Sequence, residues 1–121
     1  MAAKHSSPDR AEIRRAFAAA VNMSADEIAA FMDTDDSRRV GFTRPGETES
    51  VGRQSGRRII AILGKPDEAL DDADYAHMRK VIGFVRRHRP GRPMRDPWSS
   101  RWRHALMNWG HDPMHDDLPF L

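Results

Sequence analysis

The sequence predicts an all-α single domain of about five helices, with a long polar loop between the second helix and the third. Three observations lead there. No segment alternates apolar and polar residues over the length of a strand, apolar residues recur at helical spacing in several stretches, and capping residues, prolines and glycines stand at the ends of those stretches. A chain of 121 residues with 39% hydrophobic and 31% charged residues fits one modest core, and neither a membrane-spanning nor a collagen-like protein.

Each element has a local reason. Ser7-Pro8 offers an N-cap followed by proline at the first helical position, and Ile13, Phe17, Ala20 and Val21 then share one face of a helix from about Pro8 to Val21. Ser24 and Glu27 have capping-box spacing, with Met23 placed to staple onto Ile28, so a short second helix starts here. The run Asp33 to Ser37 ends it, because such side chains compete for backbone hydrogen bonds. From Arg38 to Glu49 the chain has no period and carries Gly41, Pro45 and Gly46, which reads as an extended connection. Helical spacing returns from Ser50 and is strongest at Ile59, Ile60, Ile62 and Leu63, closed by Gly64 and Pro66, whereas Gly52 and Gly56 weaken the first half.

The fourth helix is the clearest. Asp71 caps it, Asp72 and Asp74 favour its positive end, and Tyr75, Met78, Val81, Ile82 and Val85 fall within an arc of roughly 120° at about 100° per residue. It runs to about His88 and ends in basic residues; Pro90 to Arg95 then reads as a stiff basic linker. A last helix is expected from the Asp96-Pro97 pair to Gly110, with Trp98, Trp102 and Trp109 on its stripe, and these tryptophans and Tyr75 read as core rather than base-stacking residues. The organisation expected is a flexible N-terminus (1–7), a helical domain (8–110) and an acidic C-terminal tail (111–121).

The absence of cysteine excludes disulfides, thiolate catalysis and cysteine-ligated metal, and fits a reducing compartment. Nothing in the first 30 residues joins a basic start to a long apolar run, so neither a leader nor an anchor is expected, and the expected location is cytoplasmic. No enzyme activity is expected: the acids at Asp33 to Asp36 and Asp71 to Asp74 serve caps and turns, and no spacing ties Ser50, Ser55 and the histidines into a nucleophilic site. The segment Gly52 to Arg58 only loosely resembles a phosphate loop, lacking the Gly-Lys-Ser/Thr ending. His111, His115 and the tail aspartates lack helical i, i+4 placement and read as a polar tail, so neither a metal nor a cofactor is expected.

Charge distribution carries the functional signal. The formal net charge is +2, but residues 1–50 carry −2, residues 51–110 carry +7 and residues 111–121 carry −3. Residues 79–103 hold nine basic residues against the single acid Asp96. Several clustered cations displace the counterions condensed on a polyanion, and arginine adds planar bidentate contacts to phosphate. The expected nucleic-acid contacts are therefore Arg79, Lys80, Arg86, Arg87, Arg89, Arg92 and Arg95, extended by Arg53, Arg57 and Arg58 if the third helix packs nearby.

A combination of motifs carries a resemblance: Asn22-Met23-Ser24, Glu49-Ser50-Val51-Gly52, Ser55-Gly56-Arg57-Arg58-Ile59, Asp74-Tyr75-Ala76-His77-Met78-Arg79-Lys80-Val81, and Arg101-Trp102-Arg103 running to Leu106-Met107-Asn108-Trp109-Gly110-His111-Asp112-Pro113. Over roughly residues 11–113 the chain resembles a family of small bacterial and fungal proteins known as a domain of unknown function, some of whose members are labelled DNA-binding. The order of elements from Ser24 to Leu63 is also faintly similar to the SAP motif, a small helix-loop-helix DNA binder, with a longer and more polar loop. Together these readings give a DNA-binding, nucleoid-type protein of low sequence specificity that favours double-stranded DNA. The alternative from a different class is a protein-protein interaction module or small structural adaptor, or a homo-oligomer pairing acidic with basic halves.

Overall fold

The computed structural model describes residues 7–115. Its α-helices are α1 (Ser7–Ala20), α2 (Ala25–Met32), α3 (Asp35–Arg39), α4 (Val51–Leu63), α5 (Asp72–His88) and α6 (Arg101–Asn108), with 3-10 turns at Asp67–Ala69, Arg89–Gly91 and Pro97–Ser99. No strand occurs among the described residues, and the fold is all-α. The flexible N-terminus expected at residues 1–7 lies outside the described residues apart from Ser7, which opens α1. No described helix is long and apolar enough to cross a membrane.

The caps set the helix starts. Ser24 and Glu27 form a reciprocal capping box on α2, and Asp71 and Asp74 form another on α5. The sixth helix, α3, is one more than the sequence suggests. The acid-rich run does stop α2 at Met32, but Thr34 accepts a hydrogen bond from the Ser37 N–H at 3.2 Å and starts a new turn at once. This helix interrupts the order that is similar to the SAP motif, and the extended connection begins only after Arg39.

The last helix also starts later than expected. Asp96 takes a left-handed conformation (φ 43°) and leads into the short 3-10 turn, whereas Ser100 caps α6 by accepting from the Arg103 N–H at 3.1 Å. The tryptophan stripe is accordingly split. Trp109 is buried, Trp102 is half-buried, and Trp98 is exposed beneath the Arg103 guanidinium, 4.9 Å from its ring centre.

α1 packs along α5, α2 along α4, and α3 against α6. Their inner faces supply Phe17, Val21, Ile28, Ile59, Met78, Val81, Val85 and Leu106 to one core. The two glycines that weaken the helical reading of α4 are explained by this packing. A side chain at Gly56 would meet the Asn108 carbonyl oxygen at 2.8 Å, and one at Gly52 would meet the Trp109 indole nitrogen at 3.1 Å, so α4 reaches α6 only because both lack one. Beyond α6, Gly110 turns the chain with φ +79° under Val21, and Asn22 and Asp112 exchange hydrogen bonds at 3.0 and 2.8 Å. His111, Pro113 and Met114 are buried as a result.

Candidate nucleic-acid interface

The candidate surface is built on α5. Its buried face holds Asp74, Tyr75, Met78, Val81, Ile82 and Val85. The opposite face therefore carries Arg79, Lys80, Arg86 and Arg87, which lie within an arc of about 120° and along about 12 Å of helix axis. Basic residues in the last turn suit the negative end of the helix dipole. The Trp102 indole N–H donates to the His88 carbonyl at 2.8 Å, which fixes the end of α5 against α6. Pro90 then diverts the chain into the linker that carries Arg92 and Arg95.

Of the residues expected from the sequence, Arg79, Lys80, Arg86, Arg87, Arg89 and Arg95 are exposed and meet no carboxylate among the described residues; Arg92 is exposed as well. Arg101, at the start of α6, joins the exposed cations and was not expected as a contact. Arg53, Arg57 and Arg58 are placed differently. The Arg53 side chain is only 11% exposed, pairs with Glu49 at 3.2 Å and donates to the Met32 carbonyl and to Ser37 Oγ at 2.7 Å each. Arg57 pairs with the same Glu49 at 2.5 Å, and Arg58 pairs with Asp74 at 3.1 Å. A hydrogen bond from Arg57 pulls the Glu49 carboxyl below its ordinary value, against the upward push of burial. Asp74, hydrogen-bonded first by Lys65 and then by the Asp71 N–H and Arg58, is held far below the usual carboxylate range.

Two grooves flank the basic face of α5. In one, of about 630 Å³, Arg86, Arg89 and Arg92 stand beside Ala16, Ala20 and Trp102. In the other, of about 460 Å³, Arg79, Lys80 and Arg87 stand beside Phe42, Phe84 and Trp109. Phe42 is the residue that sequence reasoning passed over; it is 69% exposed, and the only signal for it was one aromatic ring in a polar loop.

A family model described as a protein of unknown function, DUF3140, matches residues 16–107. The chain belongs to the DUF3140 family. The DUF3140 match takes in α2 to α5 whole, most of α6 and every cation of the exposed face. Comparison with curated proteins and with solved structures finds no match.

Two other constellations in this DUF3140 chain bear on chemistry. Ser55 Oγ lies 2.9 Å from His77 Nε2, a contact between α4 and α5 that no spacing in the sequence announces. Burial first, then Arg58 and Lys80, push the His77 imidazole below its ordinary pKa, which favours the neutral ring. Asp74, one helical turn before His77, acts on it electrostatically, but its oxygens are committed to Arg58, Lys65 and the Asp71 N–H. Near the chain's other end, the His111 Nδ1–H faces the Ala20 carbonyl at 2.7 Å, and Asp112 is held by Arg103 at 2.9 Å. No group of three or more metal-ligating side chains occurs among the described residues.

Proposed function

We propose that this protein binds DNA through its phosphate backbone, with low sequence specificity and a preference for the double strand. The observation that carries this reading is the run of exposed cations on α5 and the following linker, Arg79, Lys80, Arg86, Arg87, Arg89 and Arg95, none of which meets a carboxylate among the described residues. Over the roughly 12 Å of helix axis that separates Arg79 from Arg87, duplex DNA presents about seven phosphate charges. Arginines left without carboxylate partners are free to offer bidentate hydrogen bonds to those phosphates.

Arg53, Arg57 and Arg58 drop out of the contact set on this reading, since acids already occupy them. The protein works as a cytoplasmic, nucleoid-type DNA binder without catalysis. The decisive experiment is fluorescence anisotropy of a labelled duplex titrated with protein at several salt concentrations. If about six phosphates are contacted, log affinity falls against log salt with a slope of about −5. A salt-independent affinity, or no binding at low salt, overturns the reading and turns the basic face into a protein-binding surface.

A further inference from the structure

We propose that the groove between α5 and the Phe42 loop receives an unpaired nucleobase of the bound DNA, while Arg79, Lys80 and Arg87 hold the adjoining phosphates. The inference rests on the DNA-binding reading and adds to it a class of substrate: duplex DNA that carries unpaired nucleotides, such as a gap or a frayed end.

Ring geometry is the first argument. Trp109 and Phe84 stack with centres 4.3 Å apart and planes 10° apart, and Phe84 stacks on His88 at 3.8 Å and 13°. His77 lies nearly parallel to Trp109, at 8° and 6.2 Å. In this column Phe84 is sandwiched between Trp109 and His88, and Trp109 is buried, so the stacked rings cover one another's faces and form the wall of the groove, leaving Phe42 as its open ring. Phe42, across the groove, is 69% exposed, yet its backbone is fixed: its carbonyl accepts from the Val51 N–H at 2.8 Å, and Gly41 before it turns with φ +95°. An aromatic ring presented to water on a fixed backbone is what a stacking partner requires.

Gly83 is the second argument. It sits within α5, where glycine is disfavoured, and it lines this groove. Unlike Gly52 and Gly56, it is not required by packing, because an added Cβ would meet only the far end of the flexible Arg87 side chain, at 2.9 Å. The missing side chain leaves the space in which the Arg87 guanidinium folds against α5 beside the groove, so a bulkier residue at 83 fills the groove and displaces it.

Charge is the third. Arg79, Lys80 and Arg87 line the same groove and meet no carboxylate among the described residues. An exposed ring, Phe42, beside unneutralised cations matches a ligand that is both planar and anionic, and a nucleotide is both. Intact duplex keeps its bases stacked on one another and offers only phosphate, so the groove is filled only where a base is free to leave the stack.

The test compares a short labelled oligothymidylate with a blunt duplex of the same length, for the wild-type protein, Phe42→Ala and Gly83→Leu. Gly83→Leu plugs the groove without changing charge and puts a better helix former on α5, so its melting curve should match or exceed that of the wild type. Each variant is expected to lose roughly tenfold in affinity for the oligothymidylate; Phe42→Ala should stay within about twofold on the duplex, whereas Gly83→Leu, which displaces the Arg87 guanidinium, also weakens duplex binding. Unchanged oligothymidylate affinity in both variants overturns the groove proposal and leaves the phosphate-binding reading standing. Failure of the wild type to bind either probe overturns both. Should Gly83→Leu unfold, Phe42→Ala, which alters a side chain largely in solvent, decides alone.

Discussion

From Arg38 to Lys65 every arginine and lysine has a carboxylate partner: Asp35, Asp36, Glu47, Glu49 or Asp74. From Arg79 to Arg101 the exposed cations Arg79, Lys80, Arg86, Arg87, Arg89, Arg95 and Arg101 have none among the described residues. The two sets are made of the same residue types, yet they are partnered differently. The first set closes helix ends and ties α2, α3 and α4 together. The second leaves like charges side by side on α5 and its linker, an arrangement tolerated in water and relieved by a polyanion.

The sharpest way to break this distinction is to remove one member of each set and compare stability. Arg53 spans α2, α3 and α4, and the Ser37 hydroxyl that accepts from it donates in turn to the buried Asn108 at 2.5 Å. Arg53→Ala leaves that network short of a donor and should cost about 3 kcal/mol, or roughly 10 °C in Tm. Arg86→Ala removes no hydrogen bond or ion pair among the described residues and should stay within about 0.5 kcal/mol. Equal losses by thermal denaturation would show that the division into structural and exposed arginines is wrong.

Affinity should reverse the order. The double variant Arg86→Glu, Arg87→Glu is expected to weaken duplex binding about 30-fold near physiological salt and to flatten the salt slope by about two units. Anisotropy titrations at several salt concentrations read both quantities. An unchanged slope removes these two residues from the phosphate contacts.

Much of the fold could be read from local chemistry, because a cap and its partner stand three residues apart. Ser24 with Glu27 and Asp71 with Asp74 give the starts of α2 and α5 directly. The misreadings come from residues whose local preference has two outcomes. The Asp33 to Ser37 run both ends one helix and, through Thr34, starts the next, and Asp96-Pro97 has the form of a helix start but is bent by a left-handed Asp96 into a 3-10 turn. The site was legible in composition but not in partition. The acid that neutralises Arg58 is sixteen residues further along the chain, and Arg53 finds Ser37 sixteen residues back, distances that only packing closes. Phe42 and the Ser55–His77 contact are invisible for the same reason.

The pH response should belong to the structural set and its neighbours. His77 is held below its ordinary pKa by burial, reinforced by Arg58 and Lys80, so the unfolded chain takes up a proton more readily than the folded one. Stability is then full above about pH 6.5 and declines as pH falls toward the lowered value. Asp74 is held down by Lys65 and its other donors, so its contribution persists to about pH 4 and is lost below that, as the folded carboxylate is forced to protonate. His77→Gln should flatten the first decline, a change of a few degrees in Tm between pH 7.5 and 5.5, and Asp74→Asn should flatten the second. Arginine does not titrate in this range, so the charge of Arg86 and Arg87 stays fixed throughout. Thermal melts across pH that fall equally in wild type and His77→Gln would assign the first decline to another group.

The smallest expected effect tests the distinction where it is most easily broken. Arg57 is 61% exposed and sits on the same helix as Arg53, so by position alone it could serve either set. Its guanidinium is committed to Glu49 through three hydrogen bonds of 2.5 to 3.2 Å. An exposed pair of this kind contributes about 0.5 kcal/mol, and a guanidinium already neutralised has little left for a phosphate. Arg57→Gln should therefore lower Tm by no more than about 2 °C and leave duplex affinity within about twofold. A fivefold loss of affinity would mean that Arg57 exchanges Glu49 for a phosphate on binding. The division would then follow the competition between acid and DNA for each arginine, not the pairing in the free protein, and Glu49→Gln, which releases Arg57 from that competition, should raise affinity.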